Sequence, residues 1–200
     1  MRGKSHRFLG VHLTRMFPEN TKQLHTKAFL LGCIEPDRNP LTYLKGSLRC
    51  QWLRGHNYEN ALRYMHRISV RLERKRTWNL LDWYTLGKLI HYTTDAFTYA
   101  HNKTCPTDLD IHREYEEKLQ NYFLKYLHGN PTIDLSAAKT LMETIQDFHE
   151  EYIALPVNVH TDSRFALRAC SNILATLFTD LPASRWDQRS GELPYCQTER

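Results

Sequence analysis

The sequence lacks long apolar runs. No stretch approaches the roughly 18 to 20 uncharged residues that a membrane-spanning helix needs. The basic N-terminal stretch MRGKSHRFLGVHLTRMF contains no apolar segment of signal-peptide length. These absences predict a protein that neither spans a membrane nor is exported. We therefore expect it in the cytoplasm, with at most a transient contact to a membrane surface.

Cysteine is also sparse. The five cysteines are an odd number, lie scattered and include no CxxC pair. A disulfide framework needs paired cysteines and a thiolate zinc site needs closely spaced ones, so the sequence favours neither. Alternating strand patterns and internal repeats are missing as well, which leaves helical periodicity as the main structural signal.

Charge of one sign is not concentrated anywhere in the chain. Lysine and arginine total 27 against 22 acidic residues, for a net charge of +5 without a basic tail. This excess weakly favours phosphate-bearing partners, and no obligate protein partner is indicated. A length of 200 residues suits one domain whose core needs no metal to hold it together.

Apolar residues recur at helical spacing through most of the chain. The predicted fold is therefore all-α, a single domain of about seven helices around one buried polar centre. The domain is expected to span residues 1–182, and residues 183–200 to form a poorly ordered tail. The predicted helices cover about residues 5–17, 21–31, 57–75, 78–101, 107–127, 134–156 and 163–178, with Asp134 as the cap of the sixth.

Glycine and proline interrupt the chain after the second predicted helix. Gly32 is expected to end that helix, and Pro36 and Pro40 break the segment that follows. This places Asp37 in a loop. Loops on a rigid scaffold often present ligands or bases, but a Pro-Asp pair more commonly forms a simple turn.

One stretch concentrates imidazoles and carboxylates. It runs from His91 to Glu116 as HYTTDAFTYAHNKTCPTDLDIHREYE. On a helix, residues four apart project from the same face, so His91 pairs with Asp95 and His112 with Glu116. The predicted helix that carries His91 and Asp95 is apolar on nearly every side, so both groups should be buried. A buried charge needs a partner, and a cation would serve both groups.

His101 extends this pattern. On a continuous helix it would lie about 80° from His91 and about 120° from Asp95, too far around for one ion to collect all three. Ions about 3.5 to 4 Å apart would allow Asp95 to bridge while His101 shares a neighbouring ion with His112 and Glu116. His91 and Asp95 alone fit equally well as a buried imidazole held by a carboxylate, and the added residues favour metal.

The combined pattern resembles the bacterial zinc-dependent phospholipases C over about residues 5 to 125. The segment GKLIHYTTDAFTYAH is similar to that family's signature. Ser5-His6 before an apolar helix is similar to its N-terminal histidine ligand. Fungal single-strand nucleases share the fold and metal set more distantly. The residues that match, in order and in most spacings, are Gly32 and the eight ligand candidates His6, Asp37, His56, His91, Asp95, His101, His112 and Glu116.

The resemblance implies about two to three zinc ions in the all-α domain. Secreted members complete the third site with the amino group and carbonyl of an N-terminal Trp, whereas the first Trp here is Trp52. Water or the Met1 amine would then fill that position, or it would stay empty. The implied ligand sets are His101, His112 and Glu116 for one ion, His56, His91 and Asp95 for another, and His6, Asp95 and Asp37 for the third.

The implied activity is phospholipase C hydrolysis, which cleaves a glycerophospholipid to diacylglycerol and a phosphorylated headgroup. Clustered zinc offsets the charge of a phosphodiester and lowers the pKa of bound water toward about 7. Asp37 would be either a ligand or the base that orients this water.

Two alternatives remain. A nuclease-like or other phosphodiesterase would use the same metals, and a nuclease would add exposed aromatic rings and a basic groove for nucleic acid. A non-catalytic zinc-stabilised helical domain would keep the ligands but close the open coordination positions.

Overall fold

A computed structural model describes residues 1–44, 55–103, 109–135 and 139–178. Within these ranges the chain forms seven α-helices, three short 3-10 helices and no strand, which confirms the all-α prediction. The predicted tail at residues 183–200 lies outside the described residues. The α-helices are α1 Gly3–Leu13, α2 Gln23–Arg38, α3 Tyr58–Glu73, α4 Leu80–Ala96, α5 Leu109–His128, α6 Leu141–Ile153 and α7 Val159–Leu177, and the 3-10 helices are Thr14–Met16, Pro40–Leu44 and Tyr99–His101.

The central helix is α4, which contacts α1, α2, α3 and α7. It begins with a capping box, because the side chain of Asn79 accepts from the amide of Asp82 and the Asp82 carboxylate accepts from the amide of Asn79. From Leu89 to Ala96 every residue of α4 is buried. None of the helices in the described ranges is long and apolar enough to cross a membrane.

Helices α2 and α4 approach each other most closely at two glycines. A Cβ on Gly32 would lie 2.1 Å from the carbonyl oxygen of Tyr84, and one on Gly87 would lie 2.1 Å from the carbonyl oxygen of Phe29. Any other residue at either position would therefore force the two backbones apart. Gly32 and Gly87 hold α2 and α4 in direct backbone contact.

The two helices run in the same direction. Near their N-terminal ends the ring of His25 stacks on that of Trp83, and near their C-terminal ends Asp37 approaches His91. Both C-terminal halves thus reach the same end of the molecule, where Asp95 also lies.

The predicted end of the second helix was wrong. Helix α2 continues through Gly32 to Arg38, so Asp37 lies in its last turn and not in a loop. Gly32 serves close packing. Pro36 lies in the last turn of the helix, where it removes one helical hydrogen bond but does not prevent the helix from reaching Arg38.

The fourth predicted helix was too long. Helix α4 ends at Ala96, and His101 lies in the separate 3-10 helix Tyr99–His101. The side-chain amide of Asn102 donates to the carbonyls of Ala96 and Thr98, which satisfies backbone groups at this end. His101 is therefore not on the helix of His91, and a rotation computed for a continuous helix does not apply to it.

The last two helices begin at other residues than predicted. Thr140 caps α6 by accepting from the amide of Glu143, so Asp134 is not its cap. Asn158 caps α7, which begins at Val159 and not at Ser163.

Candidate metal centre

All eight side chains singled out by the sequence converge at the C-terminal ends of α2 and α4. Helix α5 contributes two of them, and a turn or helix end supplies most of the others. Their roles as zinc ligands stay a prediction. The contributions are His6 from α1, Asp37 from α2, His56 from the turn before α3, His91 and Asp95 from α4, His101 from the 3-10 helix, and His112 and Glu116 from α5.

Asp95 is fully buried at the middle of this group. Its Oδ2 lies 3.1 Å from Nδ1 of His56 and 3.2 Å from Nε2 of His91. Its Oδ1 lies 3.2 Å from Nε2 of His6 and 3.5 Å from Nε2 of His101. The two oxygens thus face different imidazoles, as the oxygens of a carboxylate that bridges two metal ions do.

Asp37 lies at the edge of this group of side chains. Its Oδ1 is 3.6 Å from Nε2 of His91 and 3.7 Å from Nδ1 of His56, and its Oδ2 is 3.9 Å from Nε2 of His6. The Oδ2 atom has no hydrogen-bond partner among the described residues. The side chain as a whole is 21% exposed, although the Oδ2 atom itself is buried.

The centre divides by exposure into two sets. In the inner set, His6, His56, His91 and Asp95, no side chain is more than 3% exposed. In the outer set, His101, His112 and Glu116 are 12%, 30% and 14% exposed. Within the outer set, Oε1 of Glu116 lies 3.4 Å from Nε2 of His101 and 3.5 Å from Nε2 of His112.

The separations of these atoms fit zinc. Four ligands about 2.0 to 2.2 Å from a tetrahedral ion lie about 3.3 to 3.6 Å from one another. Nitrogen and oxygen donors without thiolate are also the set that catalytic zinc sites commonly use. Three groups have ligand atoms within 4.8 Å of one another, namely His6 with His91 and Asp95, Asp37 with His56 and His91, and His101 with His112 and Glu116.

Hydrogen bonds behind the inner set fix the orientation of two imidazoles. Nδ1 of His91 donates to the carbonyl of Cys33 at 2.9 Å, which leaves the Nε2 lone pair turned to the centre. Oγ1 of Thr42 donates to the carbonyl of Pro36, so Nε2 of His56 is the donor in their 3.0 Å contact. Such partners set the tautomer and angle of metal-binding histidines. The sequence did not indicate Thr42, because its contact with His56 is not at a helical spacing.

Protonation in the centre suits cation binding. Burial, and after it the neighbouring His91, lower the pKa of His6 to about 4, so His6 is neutral at pH 7. Burial likewise lowers the pKa of His101. Burial opposes ionisation of Asp95, but its neighbours, His101 first and then the Met1 ammonium, hold its pKa well below the usual range. Neutral imidazole and ionised carboxylate are the states in which these groups bind zinc.

Met1 lies at the junction of the two sets. Its amino nitrogen is 2.7 Å from Oδ1 of Asp95, 2.6 Å from Nε2 of His101 and 3.1 Å from Oε1 of Glu116. Its carbonyl oxygen is 3.1 Å from Nε2 of His6. Burial opposes the ammonium charge, but the three nearby carboxylates outweigh burial and raise its pKa to about 11.

Comparison with protein families gives a match that covers most of the chain. The model of the zinc dependent phospholipase C family matches residues 5–178, from α1 to the residue after α7. The match extends well past the segment over which the sequence motifs were recognised. Comparisons with curated proteins and with solved structures gave no match. The chain belongs to the zinc-dependent phospholipase C family, a family of hydrolases.

Proposed function

We propose that the protein hydrolyses a glycerophospholipid to diacylglycerol and a phosphorylated headgroup, using two or three zinc ions. The observation that carries this proposal is the convergence of acids and imidazoles into one centre with an exposed edge. Structural zinc sites are closed, whereas catalytic ones keep a position open to water and substrate. The 30% exposure of His112 and 21% exposure of Asp37 therefore favour catalysis over a purely structural role.

Each ion is assigned to donors that already face one another. Asp95 would contribute to two of the sites, since its oxygens point at different imidazoles. When bound, zinc acts as a Lewis acid toward phosphoryl oxygens and makes water a better nucleophile near neutral pH. The residues that would hold the ions are the outer set for one, His56, His91 and Asp95 for the second, and His6 and Asp95 for the third, where Asp37 is the alternative ligand.

The Met1 amine is our choice for completing the third site, where zinc would displace the proton that the amine otherwise holds. Its contact with Oδ1 of Asp95 and the contact of its carbonyl with Nε2 of His6 support this choice over water or an empty position. Adding residues ahead of Met1 should then lower the zinc content by about one ion per chain. Unchanged zinc content in the extended chain would exclude the amine as a ligand.

Asp37 acts as the general base in this proposal. Its side chain is 21% exposed, and its buried Oδ2 has no hydrogen-bond partner among the described residues, so the carboxylate retains an acceptor for a proton from the attacking water. The distances from Asp37 to the imidazoles are also longer than those from Asp95. Asp37→Asn should therefore remove activity while zinc stays bound, whereas loss of zinc would make Asp37 a ligand.

The decisive experiment measures zinc and turnover together. Purified protein is analysed for zinc and assayed on phosphatidylcholine vesicles and on single-stranded DNA, before and after removal of metal by a chelator. We expect diacylglycerol release that stops on chelation and returns with zinc. His91→Ala should lose both zinc and activity, and His66→Ala, an exposed histidine of α3, should keep both. Cleavage of DNA with inert lipid would instead establish the nuclease alternative.

A further inference from the structure

One buried carboxylate lies outside the eight candidate ligands and yet close to them. Asp162, in the first turn of α7, is fully buried. Its Oδ2 accepts from the amide of Tyr99 at 3.0 Å and from the hydroxyl of Tyr115 at 2.8 Å. Its Oδ1 accepts from the hydroxyl of Tyr152 at 2.8 Å. One side chain thus joins α5, α6, α7 and the 3-10 helix before α5.

Asp162 differs from the other buried carboxylate away from the centre. Asp82, at the start of α4, forms ion pairs with Arg71 at 2.9 Å and Lys75 at 3.2 Å. Asp162 forms no ion pair with any lysine, arginine or histidine in the described part of the chain, and burial raises its pKa to about 6. A buried carboxylate whose hydrogen-bond donors are all neutral costs stability, which indicates a role other than stabilising the fold.

Two of its three donors belong to the segments that carry the outer set. Tyr99 begins the 3-10 helix in which His101 is the last residue. Tyr115 immediately precedes Glu116 on α5, one turn beyond His112. The third donor, Tyr152, is on α6, which carries none of the candidate ligands.

We propose that Asp162 is a positioning residue of the metal centre. Its hydrogen bonds fix the position of the 3-10 helix that carries His101 relative to the part of α5 that carries His112 and Glu116. The inference rests on the proposed zinc site.

The charge of Asp162 is also relevant to that site. Asp37, Asp95 and Glu116 supply three negative charges, fewer than the four positive charges of even two zinc ions. The carboxylate of Asp162 adds a negative charge beside the segments that carry the outer set, which it contacts through Tyr99 and Tyr115.

The two tyrosines provide a matched test. Tyr115→Phe and Tyr152→Phe each remove one hydroxyl that bonds the same carboxylate, but only Tyr115 lies beside a ligand. We expect Tyr115→Phe to weaken binding of the outer zinc about 10-fold. Tyr152→Phe should leave zinc affinity unchanged. Asp162→Asn should weaken binding at least as much as Tyr115→Phe. Affinity is measured by competition with a chromophoric chelator, and ligand geometry by the visible spectrum of the cobalt-substituted protein.

The possible results distinguish failure of the positioning proposal from failure of the proposed function. If the wild type binds zinc and Tyr115→Phe matches Tyr152→Phe in zinc affinity and cobalt spectrum, Asp162 has only a structural role and the positioning proposal is overturned. This comparison stands even if Asp162→Asn does not fold. A wild type that binds no zinc would overturn the proposed function, and the positioning role with it.

Discussion

The inner and outer sets differ in what holds them. The inner set sits mainly on α1 and α4, packed against α2, and its side chains are almost completely buried. The outer set sits on a 3-10 turn and on α5 and is partly exposed. Burial strengthens electrostatic interactions and raises the cost of losing a partner, whereas exposure gives a substrate access. The inner set should therefore determine stability and the outer set should determine access.

The largest effect is expected from Asp95→Asn. The carboxylate of Asp95 faces imidazoles of both sets and the Met1 amine, all at short distance. Its removal leaves a buried cation and several imidazoles without their common partner, which should lower the free energy of unfolding by on the order of 3 to 5 kcal/mol. Zinc at the two sites that would use Asp95, and activity, should both be lost. Urea unfolding and metal analysis measure these effects, and a variant that retains two zinc ions would refute the bridging role.

A pair of histidine variants compares the sets directly. His91→Ala should lower the free energy of unfolding by about 1 to 3 kcal/mol, because its contacts with Asp95 and the Cys33 carbonyl are buried. His112→Ala should reduce zinc binding and activity with little change in the stability of the zinc-free protein, since His112 is 30% exposed. Thermal unfolding of both variants with and without zinc tests this. Equal destabilisation of the zinc-free forms would remove the distinction between inner and outer sets.

The close contact of α2 and α4 offers a change that reaches the inner set from a distance. A Cβ on Gly87 would lie 2.1 Å from the carbonyl oxygen of Phe29, so Gly87→Ala must separate the helices that carry Asp37 and His91. We expect a loss of about 1 to 3 kcal/mol in unfolding free energy and a partial loss of activity. Gly129→Ala is the matched control, because its added Cβ would meet no atom closer than 3.4 Å. Equal stability of the two variants would contradict the packing argument.

The sequence predicted which residues converge at the centre better than it predicted the local structure that carries them. The apolar surroundings of His91 and Asp95 indicated their burial, and both are fully buried. The boundary at Gly32 was wrong because a glycine that ends a helix and one that lets two helices touch look the same in one sequence. The partner that distinguishes them, Gly87, is more than fifty residues away.

Side-chain contacts that sequence patterns do not reveal explain the other errors and omissions of the sequence-based prediction. His101 was treated as part of α4 because no proline or glycine separates it from Asp95, whereas Asn102 closes that helix early through its side chain. Asp162 meets Tyr99 across 63 residues of sequence, so no periodicity or spacing could indicate it. Side-chain types and their order were therefore predictable, and the supporting hydrogen bonds were not.

The smallest expected effect concerns the pH dependence of stability in the zinc-free protein. It is expected from His12, a histidine of α1 that is not a candidate ligand. Burial, with a smaller contribution from Arg15, lowers the pKa of His12 to about 4 from the usual 6.5. Between these values the unfolded chain binds more protons than the folded one, so stability from neutral His12 is complete above about pH 6.5 and declines as pH falls toward 4. In zinc-free protein, His12→Gln should flatten the decline in unfolding free energy over this range, and zinc affinity at pH 7 should not change. An identical decline in both proteins would exclude His12 as a source of the acid sensitivity and assign it to His6, His101 and His149, the other histidines whose pKa burial lowers in the described part of the chain.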